Sequence, residues 1–168
     1  QDAVRALRGR LLWFVGDPHG AGTAAHRYVE DGLLVVEGGL IRAAGEARAL
    51  LPTLPAGAEI IDHRPHLIMP GFIDAHIHMP QTQVIASYGA QLMEWLNKYT
   101  FVEEQKLAQQ GHAEKLSRFF LDELLANGTT TAAVYCSVHP QSAEAFFTES
   151  ERRNTRMIAG KVMMDRNA

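Results

Sequence analysis

Two histidines separated by one residue are the side chains in this sequence best suited to chemistry. His76 and His78 lie in the apolar segment 72–78 (FIDAHIH), which is typical of a buried β-strand. Because alternate side chains of a strand project to one face, we expect Asp74, His76 and His78 to point the same way. Neutral imidazole is the metal-binding form of histidine, and two imidazoles at this spacing can converge on one zinc ion. The segment is therefore a candidate metal site.

The other candidate residues are weaker. Asp74 has two interpretations, and the sequence leaves both open. Its carboxylate either bonds the second ring nitrogen of a metal-binding histidine and so orients the ring, or forms a structural hydrogen bond where the strand begins. His139 follows a later strand and is interpreted as a loop histidine rather than as part of the site. The run from His112 to Glu114 matches part of the zinc motif of another deaminase fold, but that fold also needs a cysteine pair, and the sequence has one cysteine, Cys136.

The segment before the histidine pair is typical of a small β-rich subdomain. Residues 6–67 contain short apolar runs separated by glycine-rich turns, and Gly38-Gly39, with an apolar run on each side, indicates a β-hairpin. Further short strands are predicted at 10–15, 59–62 and 67–69, and one helical turn at 47–51. Short strands at this spacing predict an N-terminal β-sandwich subdomain over residues 1–69.

From residue 70 onwards, strands and helices alternate, which predicts an α/β fold built from βαβ units with a parallel sheet. The predicted strands are 72–78, 129–138 and 157–164, and the predicted helical segments are 92–108, 113–126 and 142–154. A (β/α)₈ (TIM) barrel needs about 200–250 residues. We therefore expect residues 70–168 to hold roughly its first three units, incomplete in this chain, and the remainder of the same polypeptide to complete the barrel.

The composition excludes several classes of protein. The 168 residues are 46% hydrophobic and carry a formal charge of −3 with interspersed signs, so we expect neither a nucleic-acid partner nor a membrane partner. The single cysteine excludes an intrachain disulfide framework and favours a cytoplasmic location.

The sequence PGFIDAHIHMPQ at 70–81 resembles the first-strand signature of the amidohydrolase superfamily, whose members combine a small β-sandwich with a metal-bearing (β/α)₈ barrel. Within that superfamily the chain resembles the guanine deaminases. Three further segments carry this second resemblance: LMEWLNKYTF (92–101), NGTTTAAVY (127–135) and GKVMMDRN (160–167). Together with the N-terminal strands, the resemblance covers essentially the whole chain.

The resemblance implies roles for individual residues. It implies one zinc ion per active site, with His76 and His78 as ligands. The residues that it implies along a purine pocket are His78, Met79, Pro80, Gln81 and Trp95. The Gln81 amide has both a donor and an acceptor for the base. Trp95 has two interpretations, a wall of the pocket or the packing of a helix.

The implied reaction is the hydrolytic deamination of guanine to xanthine and ammonia. Zinc activates a water molecule for attack on C2 of the base, and a carboxylate moves the proton to the departing amine. The catalytic residues and the other metal ligands are expected beyond residue 168. The resemblance also implies a homodimer.

Two alternatives remain open at this point. Another amidohydrolase, acting on a different aminopurine, a pterin or a triazine, would share the fold and the histidine pair, since specificity depends on loops and later strands. A truncated, catalytically dead barrel segment could act as a binding partner, but an intact pair of ligand-type histidines argues against it.

Overall fold

The computed structural model describes residues 3–89 and 91–165. The chain divides between Pro70 and Gly71 into two compact units. This division lies one residue from the boundary that the sequence predicts. In the described residues, no helix is both long and apolar enough to cross a membrane.

The first unit is built on a four-stranded sheet. Its strands are β1 (Arg5–Phe14), β2 (His26–Glu37), β3 (Leu40–Glu46) and β4 (Glu59–Ile68). The short helices of this unit are α1 (Pro18–Ala21) and α2 (Ala47–Leu50), with 3₁₀ turns at Gly22–Ala25 and Leu51–Thr53. The strand order is β3-β2-β1-β4, and β1 pairs antiparallel with β2 but parallel with β4.

The predicted hairpin is present between β2 and β3. Gly38 has φ 57° and Gly39 has φ 76°. Positive φ at both central residues is the requirement of the type I′ turn, whose twist matches that of the flanking strands. The glycine pair therefore fixes the register of the β2–β3 ladder.

The predicted β-sandwich needs two facing sheets, and the described residues of this unit form one. Its buried core consists of Ala6, Leu33, Val35 and Ala47. Because Ala47 belongs to α2, a helix covers this part of the sheet where a sandwich would have a second sheet. The strands are also longer than predicted, since β4 runs without a break through both of the short segments expected between 59 and 69.

The second unit contains a three-stranded parallel sheet. Its strands are β5 (Phe72–His78), β6 (Thr129–Tyr135) and β7 (Arg156–Gly160), paired in chain order. The helices are α3 (Leu92–Trp95), α4 (Phe101–Gln105), α5 (Gln110–Ala126) and α6 (Pro140–Arg152). A 3₁₀ segment occupies Met79–Val84 and another Lys106–Ala108. The parallel strands with helices between them confirm the predicted α/β class for this unit.

Helices α5 and α6 bury the apolar face of this sheet. The core contains Leu121, Leu124 and Phe146 from the helices together with Ala132 and Val134 from β6. Helix α5 ends at Ala126, and a residue of left-handed conformation follows two positions later. That residue is Gly128, with φ 83°, and its carbonyl accepts a hydrogen bond from the N–H of Phe72 at 2.8 Å. The end of α5 is thus tied directly to the start of β5.

Two predicted details of the helices differ from the structure. The segment 92–108 is helical but not one regular helix, since Leu96–Thr100 forms a π-helical stretch between α3 and α4. The helix predicted at 142–154 begins two residues earlier, at Pro140, so Ser142 lies inside its first turn. The Ser142 hydroxyl donates to the His139 carbonyl and accepts from the backbone N–H of Ser137, so it ties the loop before α6 to the helix.

Candidate metal centre

His76 and His78 converge at the C-terminal end of β5. Their Nε2 atoms lie 3.1 Å apart, and their ring centroids lie 5.1 Å apart. Two nitrogens that bind one tetrahedral zinc ion, each at about 2.0–2.1 Å, are separated by about 3.3 Å. The pair therefore has close to the separation that a shared metal ion requires.

A β-bulge in β5 changes which residues share a face. Asp74 pairs with Ala132 and Ile77 pairs with Val134, so three steps along β5 match two steps along β6. Ala132 and Val134 both face the helices, and so do their partners in β5. His78 is the residue after Ile77, so it lies on the opposite face of the sheet. The prediction that Asp74 shares a face with the two histidines is therefore wrong, because the extra residue breaks the period of two, whereas His76 and His78 do point to one place.

Asp74 has a structural contact next to the pair. Its Oδ1 accepts a hydrogen bond from the backbone N–H of His76 at 2.9 Å. A carboxylate that accepts from the residue two positions further on fixes the local backbone. Of the two interpretations that the sequence leaves open, this contact favours the structural one.

The surroundings of His78 favour its neutral form. Burial, and secondarily the charge of His76, lower the pKa of His78. A lower pKa keeps the imidazole unprotonated near neutral pH, which is the form that binds a metal. The amide Nε2 of Gln81 lies 3.3 Å from Nδ1 of His78. Gln81 therefore contacts the ring nitrogen that does not face His76.

Met79 and Pro80, predicted to line a purine pocket, have buried side chains. Met79 is 0% exposed and belongs to the core of the second unit. Its sulfur accepts a hydrogen bond from the Ser117 hydroxyl of α5 at 3.4 Å. The turn after β5 buries both side chains, and Met79 packs against α5. They anchor the turn that carries Gln81, and their contact with a substrate stays a prediction.

Trp95 packs against the loop that follows Gln81. Its Nε1 donates to the Ser87 carbonyl at 3.1 Å. A Cβ added at Gly89 would lie 2.5 Å from Cβ of Trp95, so the glycine allows the close approach. The structure therefore does not bring the Trp95 side chain to the histidine pair, and its contacts are those of a residue that holds the loop.

Tyr135 is a residue of this site that the sequence pattern does not single out. It ends β6 and pairs in register with His78. Its ring stacks on the His78 imidazole, with centroids 4.6 Å apart and planes 12° apart, and its centroid lies 4.9 Å from that of His76. The register of the two parallel strands was the only signal that could have identified it.

The histidine pair and Gln81 border a cleft of about 660 Å³ along the edge of β5. The opposite wall comes from α5 and includes Phe119 and Glu123. Because β5 is an edge strand of the described sheet, this cleft is open on the side where a further strand would pair. The site thus combines a metal-type ligand pair with an amide.

Residues 67–168 match the amidohydrolase family. The chain belongs to that family. Amidohydrolases typically bind a metal. In this amidohydrolase the described residues contain no group of three or more His, Cys, Asp or Glu side chains arranged around one point, so the pair is the part of a metal site that these residues supply.

Among its relatives, this amidohydrolase is 48% identical over 171 residues to the guanine deaminase of Escherichia coli strain K12. The alignment covers 100% of this chain but 39% of the relative. The solved structure of E. coli guanine deaminase matches with a TM-score of 0.91 and 44% identity, over 98% of this chain and 38% of that one. The chain therefore spans about two fifths of the relatives that it matches.

A guanine deaminase from C. acetobutylicum, solved with guanine bound in its active site, is also similar. It matches with a TM-score of 0.79 and 29% identity, over 98% of this chain and 38% of that chain. The backbone of this amidohydrolase thus follows that of guanine deaminases over nearly all of its length, even where the sequences have diverged.

Proposed function

We propose that this amidohydrolase is a zinc-dependent guanine deaminase, which hydrolyses guanine to xanthine and ammonia. The observation that carries the proposal is the 3.1 Å separation of Nε2 of His76 and Nε2 of His78 at the C-terminal end of a parallel strand, where barrel enzymes place their sites. The 48% identity to the E. coli guanine deaminase supports guanine as the substrate.

In this proposal His76 and His78 hold one zinc ion through their Nε2 atoms. When bound, zinc supplies Lewis-acid activation of water for attack on the carbon that bears the amino group. The lowered pKa of His78 keeps a lone pair on the imidazole at neutral pH, so no proton competes with the metal.

Gln81 has two functions in the proposal. A neutral imidazole that binds metal through Nε2 carries its proton on Nδ1, so Nδ1 of His78 becomes a donor. A half-turn of the nearby Gln81 amide presents Oε1 to that donor, an exchange of O and N that leaves the shape of the side chain unchanged. The amide then fixes the tautomer of His78 and retains its NH₂ group to donate to an acceptor on the purine.

The finer description of the fold is also part of the proposal. We assign residues 1–69 to a β-sandwich subdomain, of which the sheet β3-β2-β1-β4 is one layer, and residues 70–168 to the first part of a (β/α)₈ barrel. The parallel order β5-β6-β7, with a helix in each crossover, supports the barrel. The remaining metal ligands and the proton-transferring groups are assigned to segments outside the described residues. A homodimer in the cytoplasm completes the proposal.

The test is conversion of guanine to xanthine by the full encoded protein, followed by ultraviolet absorbance. We expect turnover that stops on removal of metal by a chelator and returns with added zinc. An aminotriazine, an aminopterin and adenine serve as competing substrates. Turnover of one of these without turnover of guanine would replace the substrate but keep the reaction class. Zinc-loaded protein that deaminates none of them would overturn the proposal.

A further inference from the structure

We infer that Tyr135 is a positioning residue for the metal site. In this inference its aromatic ring holds the imidazoles of His76 and His78 in the orientation that brings their Nε2 atoms together. The inference rests on the metal site proposed above, and it assigns a function to a side chain for which the family resemblance, whose segment 127–135 ends at Tyr135, implies no role.

The geometry of the three rings carries the inference. The Tyr135 and His78 rings are nearly parallel, at 12°, with centroids 4.6 Å apart. The His76 ring is tilted by 45° to Tyr135 at 4.9 Å and by 48° to His78 at 5.1 Å. Offset-stacked and tilted arrangements at about 4.5–7 Å are the favourable ones for aromatic rings. One phenol ring therefore contacts both members of the pair.

The backbone explains why Tyr135 reaches both rings. His78 and Tyr135 are the last residues of adjacent parallel strands and pair in register. Residues in register on neighbouring strands project to the same side of a sheet at short distance. The β6 strand thus delivers the ring to the end of β5, on the face opposite the helices.

The histidines need such support because few other contacts orient them. In the part of the chain that the structure describes, the His76 ring has no hydrogen bond except the contact with His78. A ligand imidazole that rotates freely loses conformational freedom when it binds a metal, which weakens binding. A ring already held in place avoids most of that loss.

The aromatic face of Tyr135, rather than its hydroxyl, is the part that acts. Within residues 3–89 and 91–165 the hydroxyl forms no hydrogen bond, and the side chain is 44% exposed. Removal of the hydroxyl should therefore leave the site intact, whereas removal of the ring should not. This difference separates a positioning function from a contribution to general stability.

The experiment measures the zinc affinity of the full encoded protein by competition with a chromophoric chelator. For Tyr135→Leu we expect affinity to fall by about 10-fold or more, the loss typical of residues that orient metal ligands. For Tyr135→Phe we expect affinity within about twofold of the wild type, because the stacking ring is kept. The visible spectrum of the Co²⁺-loaded protein should change in Tyr135→Leu and return to the wild-type form in Tyr135→Phe.

Phe147→Leu is the matched control, since Phe147 is an aromatic residue of similar exposure, 43%, in α6. It should leave zinc affinity and the Co²⁺ spectrum unchanged. If Tyr135→Leu does not fold, Tyr135→Met, which also removes the ring, is measured instead. Wild-type affinity in the ring-less variant would overturn the positioning function alone. A wild-type protein that binds zinc no better than His76→Ala would overturn the metal site and the inference with it.

Discussion

Nε2 of His76 lies 3.1 Å from Nε2 of His78. Each ring offers one lone pair to the same point, so the loss of either ring should remove most of the metal affinity. We predict that His76→Ala and His78→Ala each reduce the bound zinc to below about a tenth of the wild-type content and abolish guanine turnover. Metal analysis after dialysis and the absorbance assay check this prediction.

His63→Ala is the control for this pair, because His63 is an exposed histidine of β4 with no assigned chemistry. It should retain zinc and turnover. His76→Ala protein that keeps both its zinc and full activity would show that the ligand assignment is wrong, whatever the control does.

Gln81 contacts Nδ1 of His78 and borders the cleft. Gln81→Ala removes a hydrogen bond to the ring and, in the proposed function, a donor to the purine. Because a hydrogen bond to a buried polar group is worth about 1–3 kcal/mol, we predict that KM for guanine rises roughly tenfold. Steady-state kinetics of Gln81→Ala beside Gln83→Ala, an exposed glutamine of the same 3₁₀ segment, measure the effect. Equal KM values in the two variants would contradict the proposed contact.

The alternation of strands and helices after residue 70 was predictable because buried strands and helices each require a characteristic spacing of apolar residues, and that spacing is visible in the sequence. The residues of β5 and β6 that face the helices, Ile77, Ala132 and Val134, are apolar, as a sheet face covered by helices requires. The Gly38-Gly39 turn was predictable for a similarly local reason, since few residues other than glycine adopt positive φ twice in succession. The convergence of His76 and His78 was predictable because one residue separates them within a single strand.

The parts of the site that were not predictable depend on contacts between distant segments. The bulge in β5 arises from its pairing with β6, and nothing in the local sequence marks the extra residue. Tyr135 lies 57 positions after His78 and joins the site only through strand register. Met79 belongs to a recognised motif, but its burial against Ser117 depends on where α5 packs.

Glu149 connects α6 to α5 through charge. Its carboxylate pairs with Arg118 at 3.4 Å, with Arg152 at 2.9 Å, and with Arg153, while Arg153 also pairs with Asp122 at 2.6 Å. Removal of one partner from a buried ion pair costs about 3–5 kcal/mol, and partly exposed arginines reduce this figure. We predict that Glu149→Gln lowers the free energy of unfolding by about 2 kcal/mol, measured by urea denaturation.

The effect should depend on pH. Burial raises the pKa of the Glu149 carboxyl, but the hydrogen bonds from Arg152 and Arg153 outweigh burial and hold it below its ordinary value of 4.5. Stability from this carboxylate is therefore present above pH 4.5 and is lost as the pH falls through the lower folded-state pKa. The wild type and Glu149→Gln should converge in acid. The control is Glu151→Gln, a change at an exposed residue two positions further along α6. Its free energy of unfolding should match that of the wild type at every pH, and a similar loss in this variant would contradict the network.

Cys136 directly follows Tyr135 and is 1% exposed. Burial raises the pKa of its thiol to about 11, although a hydrogen bond between the sulfur and the backbone of Gly160 acts in the opposite direction. Since the thiolate is the reactive form, we predict that the folded protein reacts with a disulfide reagent at pH 8 at least about a hundredfold more slowly than the urea-unfolded protein. As the sequence contains one cysteine, the released chromophore reports this thiol alone.

The same pKa predicts the alkaline stability of the second unit. Well below pH 9, the ordinary pKa of a cysteine thiol, the thiol is protonated in the folded and unfolded states alike, so its ionisation does not affect folding. Between pH 9 and 11 the unfolded chain releases the proton and the folded protein keeps it, which lowers the free energy of unfolding. Any stability advantage of the wild type over Cys136→Ala should therefore shrink across this range. A constant difference between the two proteins from pH 8 to 11, measured by urea denaturation, would show that the thiol is not held in its protonated form.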